Sequence, residues 1–235
     1  MTVRVLQVQE NLLASNDVVA ARNRRLFDQA GVLAVNLIAS PGAGKTSLIT
    51  ATLRALAGWA SVAVIEGDIA GSVDAERAQA AGAAAAVQIN TGGGCHLEAH
   101  MVERALDGLD LAALNLVFIE NVGNLVCPNH WVLGEHLKVC VASTAEGHDK
   151  PAKYPEVFAQ SDAVVLNKID LLELTGFERG VFYSDLRALN RRAPVFELSC
   201  RTGQGLAIWL DWLLKHFAPE ARVGQSSAAG AGQPG

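Results

Sequence analysis

The chain has 235 residues, of which 50% are hydrophobic and 18% are charged, and this length and composition predict a single domain with a substantial core. A formal net charge of −5 and a pI near 5.7 argue against a nucleic-acid-binding protein, which usually carries a basic stripe and a high pI. No segment approaches the ~18 uninterrupted apolar residues of a membrane span, and no apolar signal region opens the sequence, so we expect a cytoplasmic protein that does not enter a membrane.

The first predicted element is a helix over residues 10–30, in which leucine and valine side chains recur at seven-residue spacing among polar residues. Gly31 follows the last periodic residue, and glycine is a typical helix stop. We expect residues 1–31 to form a helical segment that packs on the domain beginning at residue 32.

Seven short apolar runs follow this helix and are separated by stretches of helical character. They span residues 33–38, 61–66, 85–89, 114–120, 137–143, 162–167 and 194–198. Runs that are apolar throughout and alternate with helices predict an α/β fold, with a doubly wound, mostly parallel sheet covered by helices on both faces. Ligands of such sheets bind beyond the carboxyl ends of the strands, so we expect a site in the residues that follow each run.

The main predicted domain covers residues 32–219 and contains all seven runs. The stretch 220–235 is rich in small, polar and glycine residues, so it cannot bury enough apolar surface to offset the entropy cost of ordering it. We therefore expect a disordered tail there.

A phosphate-binding loop is predicted in residues 39–47, ASPGAGKTS, directly after the first apolar run. A glycine-rich turn before a helix directs several backbone N–H groups into one small space, while Lys45 adds a positive charge and Thr46 a hydroxyl ligand for Mg²⁺. Ala39 replaces the first glycine of the usual G-x-x-x-x-G-K-[ST] pattern, and alanine can serve if its backbone stays outside the left-handed region. A turn without a ligand is the less favoured alternative. The predicted phosphate contacts come from Gly42, Ala43, Gly44, Lys45, Thr46 and Ser47.

Acidic residues at two strand ends are candidates for completing a magnesium site. Asp68 follows the second run and Glu120 ends the fourth, and Mg²⁺ prefers oxygen ligands while retaining several waters. Asp74 is a candidate for ordering an attacking water, with a helix N-cap as an equally good interpretation. The candidate catalytic residues are thus Lys45, Thr46, Asp68, Asp74 and Glu120.

The sixth run ends in NKID, which matches the N-K-x-D element of guanine-binding nucleotidases. The Asp170 carboxylate can accept hydrogen bonds from both N1–H and the exocyclic amine of guanine, whereas adenine offers neither arrangement. Lys168 can stack across the base, and Asn167 can brace the loops. Ser199 and Cys200, in SCRTG, belong to a segment that can present a backbone amide to the guanine carbonyl. The order of these motifs favours GTP over ATP.

A cluster of soft ligands is predicted around INTGGGCHLEAH. On a helix, His96 and His100 would share one face, and a helix N-terminus would favour the thiolate form of Cys95. Cys127 follows the strand that ends at Glu120, and cysteine with imidazole suits Ni²⁺ or Zn²⁺. A twofold dimer can complete the coordination with ligands from both copies. The alternative is a buried cysteine beside a capping histidine. The four cysteines, at positions 95, 127, 140 and 200, are too few and too scattered in a chain of this length for a disulfide framework.

The sequence as a whole resembles the HypB family, GTPases that assist nickel insertion during hydrogenase maturation, over roughly residues 5–218. The segments that carry the resemblance are, in order, SPGAGKTS, DAERA, INTGGGCHLEAH, IENVGNLVCP, EGHDKPAKYPEVF and NKIDL. The resemblance implies a SIMIBI-class P-loop fold and a nucleotide-dependent homodimer whose interface metal is held by Cys95, His96 and Cys127, with His100 as a further candidate. It also implies that Lys153 reaches the nucleotide of the opposite subunit, and that a HypA-like nickel chaperone and the hydrogenase large subunit are partners.

Two departures from the family and several rival functions bear on this interpretation. Some HypB proteins carry an N-terminal cysteine motif and others a histidine-rich stretch; this sequence contains neither, so tight nickel storage is not expected. The urease accessory GTPase UreG is the nearest competing family, but its cysteine and histidine stand in a C-P-H arrangement, whereas Cys95 and His96 are adjacent here. A metal-binding dimeric module with negligible turnover is another alternative. A small-molecule kinase is a further alternative, but it needs an acceptor pocket, for which the sequence shows no recognisable signal. We expect slow intrinsic conversion of GTP to GDP because no arginine finger is evident.

Overall fold

A computed structural model of the chain describes residues 8–69, 71 and 73–216. The strands are β1 Leu33–Ile38, β2 Val62–Asp68, β3 Ala85–Asn90, β4 Leu116–Glu120, β5 Leu137–Ser143, β6 Ala163–Asn167 and β7 Val195–Glu197. The α-helices are α1 Val8–Ala30, α2 Lys45–Leu56, α3 Val73–Ala80, α4 Ala99–Leu106, α5 Lys150–Lys153, α6 Pro155–Gln160, α7 Leu172–Thr175, α8 Arg179–Leu189 and α9 Leu206–Leu214. Short 3-10 turns lie at Leu111–Ala113, Cys127–His130, Thr144–Glu146 and Ile169–Leu171.

The seven strands form one sheet in the order β3-β2-β4-β1-β5-β6-β7, and every neighbouring pair is parallel. Each predicted apolar run corresponds to one strand, so the predicted doubly wound α/β fold is confirmed. β1 lies between β4 and β5, which places the loop after β1 at the middle of the carboxyl edge. Ligands of doubly wound sheets bind at this edge.

Helices cover both faces of the sheet because side chains of a strand point alternately to its two sides. Val35 and Leu37 of β1 are fully buried in a cluster with Leu48 of α2. Ala34, the residue before Val35, points the other way and belongs to the cluster on the opposite face with Phe27 of α1. The strands can therefore be apolar throughout, as the sequence predicts.

The N-terminal helix α1 ends at Ala30, and Gly31 follows with a φ of 66°. Asn23 of α1 donates two hydrogen bonds, to the carbonyl oxygens of Ala99 and Leu133 at 2.9 and 3.0 Å. The helix is thereby attached to α4 and to the loop before β5. Residues 1–7 and the predicted tail at 220–235 lie outside the described residues. Of the helices that are described, none has the length and hydrophobicity that a membrane crossing requires.

Candidate functional site

The loop between β1 and α2 has the backbone of a phosphate cradle. Gly42 and Gly44 have φ values of 80° and 107°, and Lys45, the first residue of α2, is buried. A Cβ at Gly44 would clash with the side-chain nitrogen of Asn167, so this position requires glycine for space as well as for its positive φ. Ala39 is fully buried and has no positive φ, which meets the condition set by the sequence pattern.

Three side chains converge beneath this loop. The Thr46 hydroxyl donates to Oε1 of Glu120 at 2.8 Å. Glu66, which the sequence analysis missed, lies beside Glu120 because β2 and β4 pair with these two residues in register. Oε1 of Glu66 and Oε2 of Glu120 are both buried and have no hydrogen-bond partner in the described part of the chain. Two buried carboxylate oxygens beside a threonine hydroxyl suit a hard cation such as Mg²⁺.

The two carboxyl groups perturb each other. Burial, and next the nearby charge of Glu120, raise the pKa of Glu66 to about 10. Burial also raises the pKa of Glu120, although its contacts with Glu66 and the Lys45 charge oppose this effect. Glu66 is therefore protonated at neutral pH, so a cation that uses both carboxylates must displace its proton.

The other two acidic candidates lie farther out. Oδ1 of Asp68 accepts a hydrogen bond from the backbone N–H of Ile69 at 2.6 Å, and the side chain is partly exposed. Glu66, rather than Asp68, is the residue beside Glu120. Asp74 lies within the first turn of α3 rather than at an N-cap, and it pairs with Arg77 at 3.0 Å. Its charge still contributes to the raised pKa of Glu66.

Replacing Glu66 by glutamine is expected to stabilise the nucleotide-free protein at pH 8 by on the order of 1–2 kcal/mol. The unfolded chain ionises Glu66 above about pH 4.5, whereas the folded chain keeps it protonated until about pH 10. Between these two pH values the folded state keeps a proton that the unfolded chain has lost. The free energy of unfolding is therefore highest below pH 4.5 and falls as the pH rises towards 10. Denaturant unfolding at pH 5 and pH 8 measures the difference.

The matched control for this measurement is Glu76→Gln, which makes the same chemical change at an exposed position of α3. We expect the control to show no comparable gain at pH 8. A Glu66→Gln protein that is equally or less stable than the wild type at pH 8 would show that the Glu66 carboxyl is not held protonated.

The segment after β6 is attached to the phosphate loop through Asn167. Its side-chain nitrogen donates to the carbonyl oxygen of Ala43 at 3.0 Å, and its side-chain oxygen accepts from the backbone N–H groups of Lys168 and Cys200 at 2.8 and 3.3 Å. Asn167 thus makes the bracing contacts that the sequence analysis proposed. Ser199, the residue before Cys200, is fully buried, and burial raises the pKa of the Cys200 thiol to about 11.

Lys168 has a φ of 62°, a left-handed conformation that side chains other than glycine rarely adopt. The Thr144 hydroxyl donates to the carbonyl oxygen of Lys168 at 2.6 Å, and Nζ of Lys168 donates to the carbonyl oxygen of Gly42 at 2.7 Å. The Lys168 side chain therefore links the segment after β6, which carries the predicted guanine-binding motif, to the phosphate loop. Oδ2 of Asp170 lies 3.4 Å from Nε of Arg201, whose side chain is mostly exposed.

A cavity of about 300 Å³ lies along α2, next to the phosphate loop. Its lining comes mainly from α2, through Thr46, Ser47, Thr50, Ala51 and Arg54, with Arg77 of α3 and Cys200 of the segment after β7. Pockets for small molecules usually have volumes of about 300–1,000 Å³, so the space is at the lower end of that range.

Lys153 lies apart from these groups, at the end of α5. Its Nζ forms an ion pair with Oδ2 of Asp149 at 2.6 Å, and 62% of its side chain is exposed. The exposed position is compatible with a contact to a second subunit, which stays a prediction.

Cys95, His96 and Cys127 form the second group. One potential ligand atom from each lies within 4.8 Å of the other two, and all three residues are partly buried. Cys127 begins the 3-10 turn Cys127–His130, which contains Pro128 near its start. The two parts of the chain therefore bring two sulfur atoms and an imidazole together, which is a donor set suited to Ni²⁺ or Zn²⁺.

The predicted helix through both histidines is wrong, because α4 begins only at Ala99. The backbone N–H of Leu97 donates to the side chain of Asn121 at 3.1 Å, and that of Ala99 donates to the side chain of Asn16 at 2.8 Å. These long-range contacts hold the segment extended, so His96 precedes the helix. His100 lies outside the group of three, where its Nδ1 pairs with Oε2 of Glu98 at 3.3 Å.

The expected helix-induced thiolate at Cys95 is also wrong. The hydrogen bond with Cys127, and then burial, raise the pKa of the Cys95 thiol. Burial lowers the pKa of His96, which leaves its imidazole neutral and able to ligate. Metal binding at this group must therefore release thiol protons.

Comparisons with known proteins identify similar sequences and similar solved structures. A family model described as the CobW/HypB/UreG nucleotide-binding domain matches residues 33–197. The hydrogenase maturation factor HypB of Rhizobium leguminosarum bv. viciae is 48% identical over 210 residues, which cover 89% of this chain and 70% of that protein. HypB from Archaeoglobus fulgidus superposes with a TM-score of 0.80 at 36% identity, covering 86% of this chain and 98% of that one. HypB from Helicobacter pylori, solved in complex with nickel, gives a TM-score of 0.81 at 36% identity, covering 86% and 94%.

Proposed function

The chain belongs to the HypB family of hydrogenase maturation factors, within the CobW/HypB/UreG group, and on that premise we propose that it is a GTP-hydrolysing metallochaperone that assists nickel insertion into a [NiFe]-hydrogenase. The observation that carries the proposal is the position of Cys127, which groups with Cys95 and His96 and lies seven residues after Glu120, the strand end that accepts a hydrogen bond from Thr46 of the phosphate loop. The segment that follows β4 therefore connects the phosphate loop with the metal group.

GTP is the proposed nucleotide because Asp170 follows Asn167 and Lys168 in the order that guanine recognition needs. Asn167 and Lys168 each contact the phosphate loop, so a base bound at Asp170 would lie beside the loop that binds the phosphates. The Asp170 side chain is 13% exposed. A carboxylate that is partly desolvated discriminates strongly against a base without matching donors.

Hydrolysis would use charge stabilisation at the phosphate loop. Lys45 and the backbone N–H groups at the start of α2 would stabilise the transferring phosphoryl group while water attacks. Thr46 and Glu120, with Glu66 beside them, would hold Mg²⁺, and Asp68 would bind the ion directly or through water. The ion would neutralise phosphate charge. Asp74 stays the candidate for orienting the water, and we expect slow intrinsic turnover.

A second copy of the chain would complete the metal coordination. Cys95, His96 and Cys127 supply three ligands, and a twofold interface would bring the same set from the partner. The nickel complex of the Helicobacter pylori HypB supports nickel as the cargo, with Zn²⁺ as a competing ion. Lys153 is proposed to reach across the interface to the partner's nucleotide. A HypA-like chaperone and the hydrogenase large subunit are the proposed partners.

The segment from Glu120 to Cys127 provides a path between the two sites. Gly123 packs so closely on Pro41 of the phosphate loop that a Cβ there would lie 3.0 Å from a Pro41 side-chain carbon. The side-chain nitrogen of Asn124 donates to the carbonyl oxygen of Cys95 at 3.4 Å. A change in the phosphate loop on loss of the γ-phosphate would therefore be transmitted to both cysteines.

The coupling predicts that nickel affinity differs between the protein bound to GDP and the protein bound to a non-hydrolysable GTP analogue. We expect a difference of about 5- to 150-fold, and reciprocity requires nickel to change the ratio of the two nucleotide affinities by the same factor. Competition with a chromophoric chelator measures the metal affinity, and nucleotide titration tests reciprocity. Equal nickel affinities would exclude the coupling.

Phosphate release under saturating GTP and Mg²⁺ tests the enzymatic part separately. A measurable rate that Lys45→Ala abolishes supports hydrolysis at this loop. Nickel binding without any release would instead support the alternative of a metal-binding dimeric module that uses nucleotide only to organise the dimer.

A further inference from the structure

The His96 imidazole is stacked on an indole ring. The ring centroids of His96 and Trp131 are 4.6 Å apart, and the ring planes differ by 23°. Trp131 follows the 3-10 turn Cys127–His130, and its backbone N–H donates to the carbonyl oxygen of Pro128 at 3.3 Å. One short segment therefore supplies both a thiol of the metal group and the ring against which the imidazole lies.

The two ring nitrogens of His96 have different surroundings. Nδ1 lies 3.6 Å from Sγ of Cys95, inside the group of potential ligands. Nε2 is buried, has no hydrogen-bond partner among the described residues, and lies 3.8 Å from Oε1 of Glu98. Glu98 is itself held by His100 through its other carboxylate oxygen, at 3.3 Å.

We propose that Trp131 is a positioning residue that holds the His96 ring so that Nδ1 faces the metal while Nε2–H points towards Glu98. A free imidazole rotates about its side-chain bonds, and binding a metal must then fix that rotation. Stacking on Trp131 restricts the rotation beforehand. A carboxylate that accepts a hydrogen bond from the outer nitrogen sets the tautomer and makes the ligating nitrogen more basic, and Glu98 would take this role by closing the 3.8 Å separation when the metal binds.

This inference rests on the proposed metal binding by Cys95, His96 and Cys127, and it also explains why His100 lies outside that group. His100 holds the carboxylate that faces the ligand histidine. Outer-shell partners of ligand histidines typically contribute about 10- to 100-fold to metal affinity.

The test compares Trp131→Leu, which removes the stacking ring, with Trp131→Phe, which keeps one. We expect Trp131→Leu to lower Ni²⁺ and Co²⁺ affinity about tenfold and Trp131→Phe to retain most of the wild-type affinity. Trp59→Leu is the matched control, because Trp59 is 78% exposed and does not belong to the metal group. GTP titration of each variant shows whether it is folded.

Spectroscopy gives a readout that a purely structural role would not change. Ni²⁺ should quench the fluorescence of the wild type and of Trp59→Phe, and Trp131→Phe should lose most of that quenching. Nitrogen NMR of labelled histidine should show His96 ligated through Nδ1. Wild-type metal affinity in Trp131→Leu, or ligation through Nε2, would overturn the inference. A wild type that binds neither Ni²⁺ nor Co²⁺ would overturn the proposed function as well.

Discussion

Replacement of Asp170 by asparagine is expected to lower GTP affinity by about two orders of magnitude or more and to create measurable affinity for xanthosine triphosphate. A carboxylate accepts from both N1–H and the exocyclic amine of guanine, whereas an amide offers one acceptor and one donor. The amide donor would face the guanine amine and leave two donors unpaired. Xanthine carries a carbonyl oxygen in place of that amine, so it matches the asparagine side chain.

The substitution should leave the surrounding loop intact, because other residues hold it. Asn167 binds the phosphate loop through Ala43, and Thr144 binds the Lys168 carbonyl oxygen. The contact of Asp170 with Arg201 is a pair whose arginine is 81% exposed, and such pairs contribute little to stability. We therefore attribute the expected loss to base recognition.

Titration of the wild type, Asp170→Asn and Arg201→Ala with GTP, xanthosine triphosphate and ATP tests this assignment. Arg201→Ala removes the ion pair but keeps the carboxylate, so it should retain preference for GTP. Unchanged GTP affinity in Asp170→Asn, or equal binding of ATP and GTP by the wild type, would show that Asp170 does not read the base.

The sheet was predictable because local sequence decides it. A strand covered on both faces needs apolar side chains in both directions, and β4 and β6 are apolar up to their last residue. The phosphate loop was predictable for a similar reason. Its glycines, lysine and threonine are neighbours in sequence, and the strand before it fixes their place at the carboxyl edge.

Glu66 was missed because its role depends on strand order. It lies in an apolar run and becomes significant only because β2 pairs with β4, which places Glu66 beside Glu120, 54 residues further along the chain. A weak signal existed: Glu66 is two residues before Asp68 in one strand, and residues two apart point to the same face. The sequence identified the strand end and proposed Asp68, whose role at the magnesium site stays a prediction.

The histidine segment was misjudged for a different physical reason. The spacing of His96 and His100 fits a helix, but Asn16 and Asn121 bind backbone N–H groups of this segment from distant parts of the chain. Such tertiary contacts override local propensity. The stacking of Trp131 on His96 likewise joins residues 35 positions apart, which no local pattern indicates.

Removal of either sulfur from the metal group is expected to have the largest effect on metal binding. Cys95→Ala and Cys127→Ala should each lower Ni²⁺ affinity by more than the about 10- to 100-fold that loss of an outer-shell partner costs. Each change deletes a thiolate ligand, and in a twofold assembly it deletes the ligand from both copies. Any dimer that depends on the metal should dissociate on dilution.

Cys140→Ala is the matched control, because Cys140 is a fully buried core thiol of β5 outside the metal group. It should keep wild-type nickel affinity even if it costs some stability. His100→Ala separates two interpretations of that residue: a ligand would lose affinity as Cys95→Ala does, whereas a residue that only holds Glu98 should lose about tenfold.

Chelator competition, elemental analysis and sedimentation measure these variants, and GTP titration without metal confirms that each is folded. Because Cys95 and Cys127 both lie outside the phosphate loop, GTP affinity without metal should stay close to that of the wild type. If Cys95→Ala and Cys127→Ala both retain nickel as tightly as Cys140→Ala, the three residues that the fold brings within 4.8 Å of one another do not form the metal site.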